Sequence, residues 1–458
     1  MTSRLFGTTG IRKVYGTEFD PLMALRLGKA LGTFLERGTV VIGRDVRTTS
    51  QMIEDALTAG ILSTGVNVVR TGMVPTPTLS FITKKHGFDT GLMVTASHNP
   101  PEYTGVKFWN RDGMGYAPDE ETRIESIYDS REFRVAEWDR LGSESELGST
   151  VDEHIDSILS HCDATLIRSK EFSVVVDPGN GSGTVLAPQL MTRLACKVVS
   201  INSVPDGHFP SRRSEPDEDS LGDLVKTVRR VEADLGIAHD GDSDRVVFVT
   251  NTGEVVRGDR IIALLARETI GSGKSMAIVT TVDSSLVLDE TVKEAGGVTV
   301  RTPVGDIQVA TKMREIGATF GGEASGVFIF SDFQLAPEPF LTTCRLLELM
   351  ARTGKSIGDL IAEIPVYPLK KAKLECPNNE KSTVMAKLTD TLPKAMTGTI
   401  DVITVDGLGI NLKDGWVLVR PSGTEPVIRI TCEARSRKTV ERILAEAKND
   451  VQKAISLS

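Results

Sequence analysis

The 458-residue chain is short of several things, and each shortage removes a class of explanation. Aromatic residues are only 5% of the total, so the core must be aliphatic. The five cysteines, Cys162, Cys196, Cys344, Cys376 and Cys432, form no C-x-x-C pair. Their scatter and odd number signal neither a zinc site nor a disulfide framework, and reduced thiols of a cytoplasmic enzyme are expected. No apolar run is long enough to span a bilayer. The first residues, "MTSRLFGTTGIRK", lack the apolar stretch of a signal peptide. Basic residues are outnumbered, 53 Lys and Arg against 62 Asp and Glu, for a net charge of −9. That balance opposes non-specific nucleic-acid binding. It does not exclude a phosphorylated substrate, because a few local cations set the field inside a cleft. A soluble, cytoplasmic protein is expected, with no nucleic-acid or membrane partner.

At roughly 100–150 residues per domain, the length predicts three or four domains. Strand and helix signals alternate for most of the chain. "TVVIGRD" (39–45) reads as a buried strand, 49–64 as a helix with Thr49 or Ser50 as its cap, "VNVVR" as a strand, 77–86 as a helix, and "TGLMVTAS" as a strand ending at Ser97. The same grammar recurs from "FSVVVD" (172–177), through helices near 183–195 and 219–231, to "ADLGIAH" (233–239). It recurs again from "MAIVTT" (276–281), through helices near 284–295 and 306–316, to "ATFGG". Each unit runs into a polar loop at a strand's carboxyl end, where ligands gather in open α/β sheets. From about 368 the order changes to a strand, a helix (380–396), several short strands and a last helix (436–456), which predicts a small α+β domain.

Four loops carry the chemistry. "DGDSDR" (240–245) sets three carboxylates at alternate positions, a clustering that suits Mg²⁺ or Ca²⁺ and is costly without a cation. It is not an EF-hand: the sixth and twelfth positions, Arg245 and Asn251, are not Gly and Glu. "RPSGTEPVIRI" offers Arg420, Ser422, Gly423, Thr424 and Arg429, the composition of a phosphate cradle, although a polar hairpin turn would read the same way. "GGEASG" (321–326) places Glu323 and Ser325 on a permissive backbone, suited to sugar hydroxyls and equally to a tight turn. "VTASHNPP" places Ser97 and His98 at the end of an apolar run, where a structural histidine is as plausible as a contact to substrate; in an extended stretch their side chains point apart. No G-x-S-x-G elbow surrounds any of these serines, so hydrolase-type serine catalysis has little support. "GSGKS" (271–275) imitates a P-loop but has Glu268 where that motif needs Gly, and reads as a helix end.

Taken in order, "TASHNP", "DGDSDR", "GGEASG" and "RPSGTEP", with "FGTTGIR" (6–12), "GRDVRTTS" (43–50) and "VVVDPGNGSG" (174–183), resemble the signatures of the α-D-phosphohexomutase superfamily along the whole chain. The resemblance implies three related α/β mixed-sheet domains, at 1–150, 151–253 and 254–367, and a C-terminal α+β domain like the TATA-binding-protein fold at 368–458, around a central cleft. It implies that Ser97 is phosphorylated in the resting enzyme, and that one Mg²⁺ per chain is held by Asp240, Asp242, Asp244 and a phosphoserine oxygen. Arg12, Lys107 and Arg245 match positions near the reacting phosphate, with Lys107 as the candidate general acid/base assisted by His98. Glu323 and Ser325 would hold sugar hydroxyls; Arg420, Ser422, Gly423, Thr424 and Arg429 would hold the phosphate that is not reacting. Val327 stands where many relatives have a histidine, and "SEPDED" (214–219) only loosely follows a related run.

The implied activity interconverts a hexose 6-phosphate and 1-phosphate through a hexose 1,6-bisphosphate, which is both intermediate and activator. Glucosamine phosphate is the expected sugar, with phosphomannomutase/phosphoglucomutase activity next. A Mg²⁺-dependent sugar phosphatase and a non-catalytic sugar-phosphate sensor are the alternatives from other classes. Monomer and homodimer are both compatible with the sequence.

Overall fold

The structure is a computed structural model that describes residues 5–7, 10–422 and 426–456. Packing divides the chain into two compact units, Met1–Gly258 with Ser325–Ala362, and Asp259–Ala324 with Glu363–Ser458.

The first unit begins with β1 (Ile11–Val14), α1 (Pro21–Leu35), β2 (Thr39–Arg44), α2 (Ser50–Leu62), β3 (Asn67–Met73), α3 (Thr76–His86), β4 (Thr90–Val94), β5 (Tyr103–Asn110), α4 (Pro118–Ser130) and β6 (Glu144–Glu146). The six strands form one sheet in the order β1-β5-β4-β2-β3-β6. β2 pairs in parallel with β3 and β4, and both β2 and β4 are apolar runs buried on both faces, as internal parallel strands must be. β5 returns antiparallel beside β4, and β1 lies antiparallel beside β5. Helix α1 starts where Asp20 accepts the Met23 N–H at 2.7 Å and Pro21 needs no donor. Leu27, Leu31, Ile53, Leu57 and Ile61 pack beneath the sheet with Val40, Ile42, Leu92 and Val94.

A second sheet in this unit repeats the device. Strands Ser173–Asp177 and Leu235–His239 are parallel, and Val246–Thr250 returns antiparallel beside the latter. Thus Val94 faces Val106 across one loop, and His239 faces Val246 across the other.

In the second unit, strands Ala277–Thr281, Val298–Thr302 and Phe320–Glu323 are parallel. The tail is a five-stranded antiparallel sheet, Leu369–Glu375, Val427–Ala434, Gly415–Pro421, Leu408–Leu412 and Thr399–Ile403 in spatial order. Its buried face takes helices Lys381–Ala395 and Arg437–Ser456 through Val384, Leu388, Val440, Ile443 and Ala447.

Three local expectations need correction. The strand leading to Ser97 ends at Val94, because the chain leaves the extended region before the serine. The helix expected over 183–195 is a 3₁₀ turn, Ser182–Val185, followed by Ala187–Arg193; Pro188 lacks the N–H needed to continue the first turn and opens the second. Neither Thr49 nor Ser50 caps α2: the Thr49 side chain makes no capping bond, and the Ser50 hydroxyl donates to Asp45 at 2.6 Å instead.

Candidate active site

Ser97 follows β4 and is fully buried. Its φ is 52°, in the left-handed region that a serine enters only when its surroundings impose it. This overturns the expectation that neighbouring side chains point apart. The bend brings His98 Nδ1 within 3.3 Å of Ser97 Oγ, and the hydroxyl donates to Asp240 Oδ2 at 3.1 Å.

The acidic loop meets the serine loop directly. The carboxylate oxygens of Asp240, Asp242 and Asp244 lie within 4.8 Å of one another, and all three residues are buried. Gly241 forms the apex of contact: a Cβ there would stand 2.7 Å from the Ser97 carbonyl oxygen. Asp242 rests at the N-terminus of α3, where the Thr76 hydroxyl donates to Oδ2 at 2.6 Å and the Thr76 N–H to its backbone carbonyl at 2.9 Å. The Arg245 N–H reaches Asp240 Oδ1 at 3.1 Å.

Lys107 lies on β5 opposite Met93, and Arg12 lies on β1 opposite Gly105. The pleat therefore puts both cations on one face. Lys107 Nζ bridges Asp242 Oδ2 at 2.7 Å and Asp244 Oδ2 at 2.5 Å. Burial alone would drive the ammonium toward neutrality; Asp242 and Asp244 outweigh it and hold the lysine pKa above its usual value. Lys107 is thus a cation held between two carboxylates. Burial opposes ionisation of Asp242 too, but Lys107 and Thr76 override it and hold that carboxyl below the ordinary range. Asp240 goes the other way: burial and then its neighbours Asp244 and Asp242 push it well above. His98 is pushed down to about 2 by burial and by the cations Arg245 and Arg12, so its ring is neutral.

The donor set fits a hard divalent cation. Three buried carboxyl groups converge here, and two of them share one directly bonded ammonium. Asp242 Oδ1 and Asp244 Oδ1 are buried with no hydrogen-bond partner. Unsatisfied carboxylate oxygens of this kind are what an oxygen-seeking ion takes.

Arg245 NH1 is paired with Glu215 Oε1 at 3.1 Å, and the Ser214 hydroxyl donates to the carbonyls of His98 and Asn99 at 2.6 and 3.1 Å. The loosely matching "SEPDED" run thus closes over the serine loop. Sequence reading also missed Asp45, Arg47, Thr76 and Thr95. The first two sit inside the "GRDVRTTS" signature, which was the available signal.

Just past the acidic loop, the Val246 N–H donates to the Gly326 carbonyl at 3.0 Å, which sets the turn of Ser325 beside that loop. Ser325 is an exposed turn residue of the first unit. In the second unit, Glu323 ends its strand and accepts the Gly305 N–H at 2.7 Å. Arg420 is gripped by Asp406, Nε to Oδ1 at 3.1 Å and NH2 to Oδ2 at 2.7 Å. The Ser422 carbonyl accepts from Lys381 Nζ at 2.6 Å. Arg429 faces Arg420 on one side and Lys373 on the other, so three cations stand abreast on adjacent strands. A row of cations of this kind attracts anions, and Asp406 already meets Arg420. Gly423 and Thr424 lie outside the described residues.

These features together define an isomerase of the phosphohexomutase class, and the chain belongs to the phosphoglucomutase/phosphomannomutase family. Descriptions of its alpha/beta/alpha domains I, II and III match residues 3–135, 152–253 and 257–367, and its C-terminal domain matches 372–449. A protein of Methanopyrus kandleri named "Probable phosphoglucosamine mutase" is 42% identical over 452 residues, 99% of this chain and 98% of its own. One of the same name from Methanothermobacter thermautotrophicus is 44% identical over 442 residues, 96% of each chain. The crystal structure of a phosphoglucomutase/phosphomannomutase family protein from Burkholderia thailandensis superposes with a TM-score of 0.87 at 29% identity, covering 99% of this chain and 98% of that one. Among the described residues, no helix is long and apolar enough to cross a membrane.

Proposed function

We propose that this enzyme interconverts glucosamine 6-phosphate and glucosamine 1-phosphate through a phosphorylated Ser97 and a hexose 1,6-bisphosphate, with the phosphates of mannose and glucose as secondary substrates. The full-length likeness to proteins named phosphoglucosamine mutase supports the amino sugar. The observation that carries the mechanism is the Ser97 hydroxyl, buried and 3.1 Å from Asp240 within the acidic cluster. The four domains are assigned to 1–150, 151–253, 254–367 and 368–458.

In the forward direction, phosphoserine 97 gives its phosphoryl group to the free hydroxyl of a hexose monophosphate. The serine oxygen leaves, the sugar oxygen forms the new P–O bond, and the sugar hydroxyl proton ends, by way of His98, on the serine oxygen. The resulting bisphosphate reverses its orientation and returns the other phosphoryl to Ser97. Mg²⁺ bound by Asp240, Asp242 and Asp244 would neutralise charge on the transferring group. Lys107 donates to oxygens that gain charge, and Arg12 and Arg245 add positive potential. Neutral His98 lies beside the serine oxygen and can accept or relay a proton. Glu323 and Ser325 bind sugar hydroxyls; Arg420, Ser422, Gly423, Thr424 and Arg429 hold the idle phosphate, with Lys373 beside them.

Incubation with glucose 1,6-bisphosphate should add one phosphoryl mass to the peptide containing Ser97, and label on another residue would sink the assignment. A coupled assay comparing the 1-phosphates of glucosamine, glucose, mannose and N-acetylglucosamine should rank glucosamine first. Release of free phosphate in place of isomer would favour a phosphatase.

A further inference from the structure

The serine loop is held by a side chain that bonds to its main chain, not to the acidic cluster or to the Ser97 hydroxyl. Arg47 is 2% exposed, and its guanidinium hydrogen bonds point into one short stretch of chain. NH2 donates to the carbonyls of Ser97 at 2.8 Å and Asn99 at 2.6 Å. NH1 donates to those of Pro100 at 2.6 Å and Tyr103 at 3.0 Å. Nε donates to Asp45 Oδ2 at 3.1 Å. Five donors meet five acceptors, four of them carbonyls between Ser97 and Tyr103.

We infer that Arg47, paired with Asp45, is a positioning residue for phosphoryl transfer: it fixes Ser97 in its left-handed conformation and so aims the hydroxyl at the acidic cluster. The inference rests on the mutase mechanism proposed above. Both flanks of Ser97 are pinned by this one pair. Arg47 holds its carbonyl directly. Asp45 holds its amide through Thr95, whose hydroxyl donates to Asp45 Oδ2 at 2.7 Å and accepts the Ser97 N–H at 2.9 Å. Asp45 is itself saturated, with the Ser50 hydroxyl and the Arg47 N–H on Oδ1 at 2.6 and 2.9 Å. The buried pair is thus fully hydrogen-bonded, the condition under which buried ions order a structure. The Phe209 ring covers the guanidinium at 5.2 Å. Were either flank released, Ser97 would relax toward the extended region, and its hydroxyl would turn away from Asp240 and His98.

Lysine cannot replace this arginine. It keeps the charge but has three tetrahedrally arranged donors and no planar fork, so it cannot span four carbonyls. Arg47→Lys should therefore lower kcat by about 100-fold, the cost typical of a reacting group displaced by roughly 1 Å. KM should stay within about threefold, because the substrate contacts are elsewhere. Thr95→Val, which keeps the shape and removes the amide's acceptor, should lower kcat by about tenfold.

The experiment is stopped-flow transfer from glucose 1,6-bisphosphate to Ser97, run beside steady-state kinetics and thermal unfolding for wild type, Arg47→Lys and Thr95→Val. The expected result is that loading slows in step with kcat while KM barely moves, in protein that is still folded at the assay temperature although Arg47→Lys, with buried carbonyls left unbonded, melts earlier. Equal loading rates in a folded Arg47→Lys, or a kcat loss matched by loss of folded protein, would overturn the positioning role. Should Arg47→Lys not fold, Thr95→Val decides, and unchanged loading there overturns it equally. If wild type itself takes no phosphoryl group on Ser97, it is the mutase reading that has failed.

Discussion

Two arginines show how differently one residue type can be used. Arg47 is sealed in the first unit, with its donors committed to main-chain carbonyls and one carboxylate. Arg420, on the tail sheet, has a side chain 31% exposed and is gripped by the single carboxylate of Asp406. The first is a strut, because no ligand can compete with five satisfied bonds at once. The second holds its fork in a geometry that a phosphate can share or take over, with Arg429 alongside. The surroundings, more than the residue, determine whether an arginine shapes the chain or receives a substrate.

The comparison can be pressed with substitutions graded by expected effect. The largest falls at the acidic cluster that Arg47 serves. Asp242→Asn keeps the shape but removes the charge facing Lys107 and one ligand charge. It should reduce Mg²⁺-dependent kcat by about 100- to 1,000-fold, in the range for loss of one preorganised electrostatic group. A Mg²⁺ titration of turnover tests it, and an unchanged curve would remove Asp242 from the metal site. Arg420→Ala should act differently, raising KM by about 10- to 100-fold, the equivalent of losing one or two charged hydrogen bonds. If kcat falls while KM holds, the two arginines are not divided as argued.

The smallest effect concerns a third arginine setting. Glu54 on α2 is buried between Arg44, 3.1 Å away, and Arg70, 3.7 Å away. Burial overrides both cations and lifts its pKa from 4.5 to about 7. A carboxyl raised on folding stabilises fully below its unfolded value and loses that contribution as pH rises through the folded one. Glu54→Gln has no such loss. Its melting temperature relative to wild type should therefore improve between pH 4.5 and 7, by a few degrees at most. A pH-independent gap would mean that the two arginines cancel the effect of burial, and a gap that widens with pH that they outweigh it.

The sequence made Ser97 and the three aspartates visible, because they sit in polar loops that follow apolar strands, whereas Lys107 and Arg12 lie inside strands and are singled out only by the family likeness. Ser97, Lys107 and the three aspartates meet through direct contacts, and Arg12 and Arg245 are close enough to act on His98. What holds them was hidden. Thr76 gives no local hint that its hydroxyl meets a carboxylate 166 residues away. The closeness of His98 to Ser97 depends on one backbone angle that pattern reading takes as extended. Lys373 joins Arg429 and Arg420 only through strand register. The role of Arg47 depends on where its five N–H groups point, which its place in a signature motif does not reveal.

The corner where Gly241 touches the Ser97 carbonyl has a consequence for how this enzyme can vary. A methyl group there would collide with main chain, which cannot swing aside as a side chain could. The smallest residue in the neighbourhood, with no chemistry of its own, thereby sets the clearance between Ser97 and the acid cluster. Substitutions at this glycine should be tolerated as poorly as changes to the serine itself.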